Sequence, residues 1–226
     1  MARASELFKE EDKHAIRDAV AEAEKKTSGE IVPVVATRSG RYDRSEDILG
    51  VILGVLAVAA VWLLFQKIEP KGGDWGGGLT IAFRLGSFLL TFVAAFVVGV
   101  VLSTFVPALA HPFIAKKELR EEVLRSARQA FVEFRVRGTT GSTGILIYVS
   151  LFERMAWVLG DRAISEKLDQ AKWDETKDLV IDGLRNGKPA EGICSAIRRC
   201  GELLLQHFPV APDEVNELSN ELQLID

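Results

Sequence analysis

Cysteine, histidine and one-sided charge are all scarce in this chain. Of 226 residues only two are cysteine and three are histidine. The spacing of Cys194 and Cys200 is neither CxxC nor a zinc-ligand pattern, which argues against structural zinc. So few thiols build no disulfide framework, and free thiols fit a reducing compartment. His14, His111 and His207 lie far apart, and none stands in a metal motif such as HExxH. The formal net charge is −4, with basic residues dispersed among acidic ones. No Lys/Arg stripe with interleaved aromatics occurs, so no nucleic-acid partner is expected. The N-terminal residues lack an apolar h-region, so no cleavable signal peptide is expected.

Two central stretches lack charge altogether. Residues 48–65 and 85–110 contain no Asp, Glu, Lys or Arg. A hydrocarbon core is about 30 Å thick and needs roughly 20 apolar residues in a helix. The first stretch reaches ~27 Å, just sufficient, and the second is long enough to span with tilt. The water-soluble remainder is too small to bury both helices all round. The chain therefore reads as a two-span membrane protein, with the lipid bilayer as its first partner.

The connection, residues 66–84, is short and glycine-rich, with Gly72, Gly73, Gly76, Gly77 and Gly78 around Trp75. It returns the chain, making the two helices antiparallel neighbours. Trp62 and Trp75 fall near the expected interfaces, and Arg84 sits at the entry to the second span. Pro107 and Pro112 fall at its far end. Gly50 and Gly54 form a GxxxG pair, and Ala95, Gly99 and Ser103 a small-xxx-small stripe. These stripes either pack the hairpin or join copies of it, so a homo-oligomer through Gly50, Gly54 and Gly99 is one expectation. Arg38, Arg41 and Arg44 precede the first span, and Lys116, Lys117, Arg120, Arg125 and Arg128 follow the second. By the positive-inside rule both termini belong in the cytoplasm of a cell with an inner membrane, with the glycine loop outside.

The remaining residues form one discontinuous domain, 1–47 and 111–209, followed by an acidic tail, 210–226, expected to be loosely held. Residues 5–26 read as a helix with Ala15, Ile16, Ala19, Val20 and Ala23 on one side. Residues 30–37 read as a strand apolar on both faces, and Pro33 puts an edge or bulge beside it. Residues 113–134 have a helical stripe of Leu119, Val123, Ala127, Ala130 and Phe134. Residues 144–151 form the strongest strand, paired in a hairpin with 155–160. Helices follow at about 169–185 and from Pro189 to Phe208, the latter with Cys200 in its apolar stripe. The fold class is α/β, a small mixed β-sheet flanked by helices and interrupted by a two-helix transmembrane hairpin.

Thr27-Ser28-Gly29-Glu30-Ile31, then Thr143-Gly144-Ile145-Leu146-Ile147-Tyr148-Val149-Ser150, resemble segments of the TPM domain family. So do Glu153-Arg154, Val158-Leu159-Gly160-Asp161-Arg162-Ala163-Ile164, Trp173 and His207-Phe208-Pro209, in that order. The family includes thylakoid-lumen phosphatase-like, photosystem-repair and receptor-modulator proteins. The resemblance implies a compact α/β domain tied to a membrane. For its activity it implies either acid-phosphatase chemistry or an accessory role toward membrane complexes. The chain departs from the family where the spans interrupt the domain, and where Ala163 replaces a frequent glycine.

No Ser/His/Asp or Cys/His set has readable spacing. The stretch Gly138-Thr139-Thr140-Gly141-Ser142-Thr143-Gly144 precedes a strand rather than opening a helix, so it reads as a flexible strand entry, not a phosphate loop. Polar residues at strand ends are the candidate ligand-binding set: Glu30, Glu153, Arg154, Asp161 and Arg162. Their carboxylates suit a divalent cation, and Arg154 or Arg162 suits a phosphate. The alternative is structural, as turn residues, a helix cap and a solvated ion pair. The leading expectation is a non-enzymatic interaction, assembly or maintenance factor for another membrane protein. A phosphatase-like hydrolase with a metal or phosphate site at the strand ends is the rival.

Overall fold

A computed structural model describes residues 3–65, 85–106, 109, 111–210 and 216–226. The chain divides into two units. One is Ala2–Gly40 with Lys116–Asp226, and the other covers Arg41–Ala115. The loop 66–84, Pro107 and residues 211–215 lie outside the described residues, and the expectations for Trp75, Arg84 and Pro107 with them.

The larger unit begins with α1 (Ala4–Leu7) and α2 (Glu10–Glu24). The single expected helix is therefore broken, because Phe8 turns extended and is buried. At α2 the Asp12 carboxylate accepts the Lys9 backbone N–H at 3.0 Å, satisfying one of the orphan donors of the first turn. Glu10, Glu11 and Asp12 also complement the helix dipole. β1 (Glu30–Ala36) is buried at every position, which suits its apolar residues on both faces.

The chain then leaves for the hairpin and returns as α5 (Lys116–Glu133), β2 (Gly144–Ser150) and β3 (Met155–Gly160). α6 (Arg162–Ser165), α7 (Gln170–Arg185) and α8 (Pro189–His207) follow. Ala163 lies within α6, where no positive φ is required. Pro189 opens α8, where its missing N–H costs nothing.

The sheet order is β3-β2-β1-β4, where β4 is Gln223–Ile225. β1 and β2 run parallel with Glu30 opposite Gly144 and Ala36 opposite Ser150, while β3 returns antiparallel. The fourth strand, β4 (Gln223–Ile225), comes from the tail and lies parallel to β1 from Val34 to Ala36. This corrects the expectation of a loose tail. Its end is an edge strand, held by the Thr37 N–H on Ile225 at 2.8 Å and by Asp226 on Ser5. β4 begins only opposite Val34, so Pro33 lies just before the pairing starts, on an open stretch of β1.

One sheet face packs on α2, α7 and α8 through Ile31, Val35, Ile145, Ile147 and Val149, with Val20, Val180, Ile197 and Leu204 opposite. The other face packs on α5 through Val32, Val34, Leu146 and Tyr148 against Val123, Ala127 and Ala130. Both cysteines are buried on α8. Burial pushes the Cys200 thiol up to about 12 and raises that of Cys194 as well. The glycine-rich stretch before β2 is a hydrogen-bonded turn rather than a loose entry. Thr143 N–H donates to Thr139 Oγ1 at 3.0 Å, and a Cβ on Gly144 would stand 2.1 Å from the Val136 carbonyl oxygen.

The other unit contains α3 (Asp43–Phe65) and α4 (Leu85–Phe105). α3 starts five residues before the uncharged stretch, and α4 stops before its end. Both are long and apolar enough to cross a membrane, and only 11% and 6% of their most apolar windows are buried. A core helix of a soluble protein would be covered; here Leu63, Leu64, Leu85, Leu90 and Phe105 are exposed. The buried residues of the two helices are all small: Ser45, Gly50, Gly54, Gly99 and Ser103. A Cβ on Gly99 would meet Gly50 Cα at 2.7 Å, and Gly50 and Gly54 lie against Phe96 and Phe92. Of the two roles expected for these stripes, packing within the hairpin is the one observed. Gly50, Gly54 and Gly99 are occupied inside one chain.

Candidate functional site

Strand direction sorts the candidate residues into two groups at opposite ends of the sheet. Glu30 opens β1 opposite Gly144, and Asp161 follows β3 there, donating its N–H to the Gly144 carbonyl at 2.8 Å. Glu153 and Arg154 occupy the β2–β3 turn, where β1 and β2 finish. A strand of this length spans about 20 Å, so the five residues do not converge on one ligand.

At the first end each group has a local task. The Glu30 carboxylate accepts the backbone N–H groups of Glu217 and Leu218 at 3.1 and 3.2 Å, fastening the tail ahead of β4. Asp161 is the N-cap of α6, accepting the Arg162 N–H at 2.7 Å. Its second oxygen, Oδ2, is buried without a hydrogen-bond partner among the described residues. Arg162 is exposed and pairs with Glu166 at 3.0 Å, a surface contact of small energetic weight. Glu24 lies near Glu30, with Oε1 accepting the Ile31 N–H at 2.9 Å. Burial pushes its carboxyl up to about 8, and the neighbouring Glu30 charge adds to the rise.

The other end carries a buried network. Glu153 accepts the Ser39 N–H at 3.0 Å and the Gly40 N–H at 3.2 Å through one oxygen, and the Ser150 hydroxyl through the other. Ser39 Oγ donates to Ser150 Oγ at 2.7 Å and lies 3.0 Å from the Tyr148 hydroxyl. Ser126 on α5 donates to the Ser39 carbonyl at 2.8 Å. Burial raises the Tyr148 phenol above its ordinary value, opposed by its bonds to serine. The Arg38 guanidinium lies over the Phe152 ring, 5.0 Å from its centroid. The bonds of Glu153 hold Ser39 and Gly40, the two residues through which β1 continues toward α3.

Ser39, Ser126, Tyr148 and Ser150 were not in the sequence-derived set. Tyr148 and Ser150 alternate on the Leu146 face of a strand that is otherwise apolar, and Ser126 interrupts the stripe of α5. Polar residues at apolar register positions were the available signal. Among the described residues no group of three or more His, Cys, Asp or Glu is placed to hold a metal ion. The divalent-cation expectation thus gains no ligand cluster there.

Residues 115–203 match the family model of the TPM domain. A search of curated proteins finds no match. Among solved structures, the chain is similar to the BA42 protein of the psychrophilic bacterium Bizionia argentinensis, determined by NMR. The identity is 19%, with 99% of each chain covered and a TM-score of 0.57, a likeness of fold. The first and last segments of the sequence resemblance fall outside the matched residues, yet they meet in space. Thr27 bridges to Pro209, and the Ser28 N–H donates to the Phe208 carbonyl at 3.1 Å. The match to the TPM domain model covers α5, β2, β3, α6, α7 and most of α8, and β1, from before the apolar hairpin, pairs with β2 of that segment.

Proposed function

We propose that this protein is anchored in a membrane by α3 and α4 and that its TPM domain is a non-enzymatic interaction or assembly factor for other membrane proteins. The reading places both termini in the cytoplasm of a cell with an inner membrane. The observation that carries it is the use of the strand-end polar groups. Glu153, the most buried of the candidate acids, accepts three donors from its own chain, two of them backbone N–H groups of the segment leading to α3. Both oxygens of that carboxylate are thereby engaged in holding residues 39 and 40 of its own chain.

The rival hydrolase reading draws on one feature, the buried Oδ2 of Asp161. The test uses the full-length protein in mild detergent with a generic phosphate ester, with and without divalent cations. No turnover is expected, together with a membrane protein that co-purifies in fixed stoichiometry. Metal-dependent turnover abolished by Asp161→Asn would defeat the proposal. Asparagine also caps helices well, so such a loss would be chemical rather than structural. Extraction of the chain into the aqueous phase by alkaline carbonate would defeat the membrane anchor separately.

A further inference from the structure

The β2–β3 turn places Arg154 in the left-handed region, at φ 53°. A turn residue there is usually glycine or asparagine, because a Cβ crowds the following carbonyl. The Arg154 N–H reaches the Leu151 carbonyl at 3.3 Å, so the turn itself asks only for a residue that tolerates this conformation. Among the described residues no carboxylate pairs with the Arg154 side chain, which is exposed. A long cation is thus held at a strained position without an ion pair to explain it.

Beside it lies an open cleft of about 630 Å³, lined by Leu151, Arg154, Ile181, Leu184 and Arg185. Leu151 and Arg154 come from the turn, and the other three from the last turns of α7. Leu151, Ile181 and Leu184 form an apolar floor, half-buried and continuous with the core on that side of the sheet. Arg185 adds a second guanidinium. Among the described residues it pairs with Asp182 at 3.4 Å, in an exposed contact that water competes with. Two guanidiniums above an apolar floor match an anion attached to a hydrocarbon body. Inorganic phosphate would use the cations and leave the floor wet.

We infer that this cleft binds one anionic phospholipid, its phosphate between Arg154 and Arg185 and its glycerol and first methylenes on Leu151, Ile181 and Leu184. This rests on the proposed membrane anchor. A basic site that takes an anionic headgroup adds to the attraction between this unit and anionic lipid.

The test is competitive lipid retention by the full-length protein. The chain is purified in neutral detergent and incubated with an equal mixture of phosphatidylglycerol and phosphatidylcholine, and bound lipids are counted by native mass spectrometry. The expected result is one phosphatidylglycerol retained at least tenfold over phosphatidylcholine. Arg154→Gly and Arg185→Gln should each abolish that preference, while Lys13→Gln, which removes a distant cation, should leave it unchanged. Arg154→Gly should also melt at the same temperature as the parent or higher, since glycine relieves the strained turn; a purely structural arginine would give the opposite sign. Dodecyl phosphate should displace the lipid, and inorganic phosphate at the same concentration should not. Undiminished preference in Arg154→Gly overturns the site, and equal displacement by inorganic phosphate replaces the lipid by a small anion. Flotation with pure phosphatidylcholine vesicles reads the membrane anchor on its own. A chain that floats but shows no preference refutes the cleft alone, and one that does not float refutes the anchor.

Discussion

Replacing Glu24 by Gln removes an ionisable carboxyl from the junction of α2 and β1 and should stabilise the folded chain at neutral and alkaline pH. Its Oε1 accepts the Ile31 N–H at 2.9 Å, and Oε2 is shut off from water. Burial is the main cause that raises this carboxyl from 4.5 to about 8, with the Glu30 charge adding to it, while Ile31 N–H and Asn220 act the other way. The folded state therefore holds a proton that the unfolded chain releases. Stability from this group is fully present below 4.5 and is lost as pH rises toward 8. Each tenfold step in that balance is worth about 1.4 kcal/mol, so the burden near pH 7 is on the order of 3 kcal/mol. Glutamine keeps the acceptor for Ile31 and carries no proton to lose. For a unit of about 150 residues each kcal/mol moves the melting temperature by roughly 2–4 °C. The assay is thermal melting of the full chain in mild detergent from about pH 5 to about pH 8. The Gln variant should gain on the parent as pH rises, reaching roughly 8–16 °C near pH 8 and little near pH 5. Parallel curves for the two proteins, or a Gln variant that is the less stable one near pH 8, would refute the reasoning.

Four further outcomes are expected. Glu153→Gln faces an amide NH2 toward donors that now share a carboxylate, and should cost about 2–3 kcal/mol in thermal or urea melts, with faster amide exchange at Ser39 and Gly40. Gly99→Leu sets a Cβ against Gly50 Cα and should part α3 from α4, which a lengthened distance between spin labels at Leu63 and Leu89 would register. Deleting residues 217–226 removes β4 and two backbone donors from Glu30, and should lower stability by about 2 kcal/mol or more while opening the β1 edge to protease. Cys200, buried with its thiol pushed up to about 12, should react with thiol reagents only at the rate of unfolding, and Cys194 faster.

Much of the fold was legible because the signals are local. The uncharged stretches, the apolar runs of β2 and β3 on either side of a short turn and the helical stripe of α8 lie contiguous in the chain, and each matched an element within a few residues. The misses have physical reasons. Phe8 breaks the first helix because the core takes its ring, a tertiary demand without a propensity signature. β4 is three residues long, too short for any periodicity to register, and is a strand only because β1 offers its edge. Glu30, Glu153, Arg154, Asp161 and Arg162 were rightly placed at strand ends, but which end depended on how the strands pair.

The chain alone determined that its central third is apolar enough for lipid and that the rest makes helices around a small sheet with a TPM resemblance. Hydropathy and periodicity belong to neighbouring residues, so no folding is needed to see them. Only the tertiary structure decided that the candidate acids sit at opposite ends of the sheet and that Ser39, Tyr148 and Ser150 join Glu153. It also decided that the small residues of α3 and α4 face each other, and that Arg154 meets Arg185 across an apolar floor. Those are encounters between segments far apart in sequence, set by strand direction and helix packing rather than by the identity of any one residue.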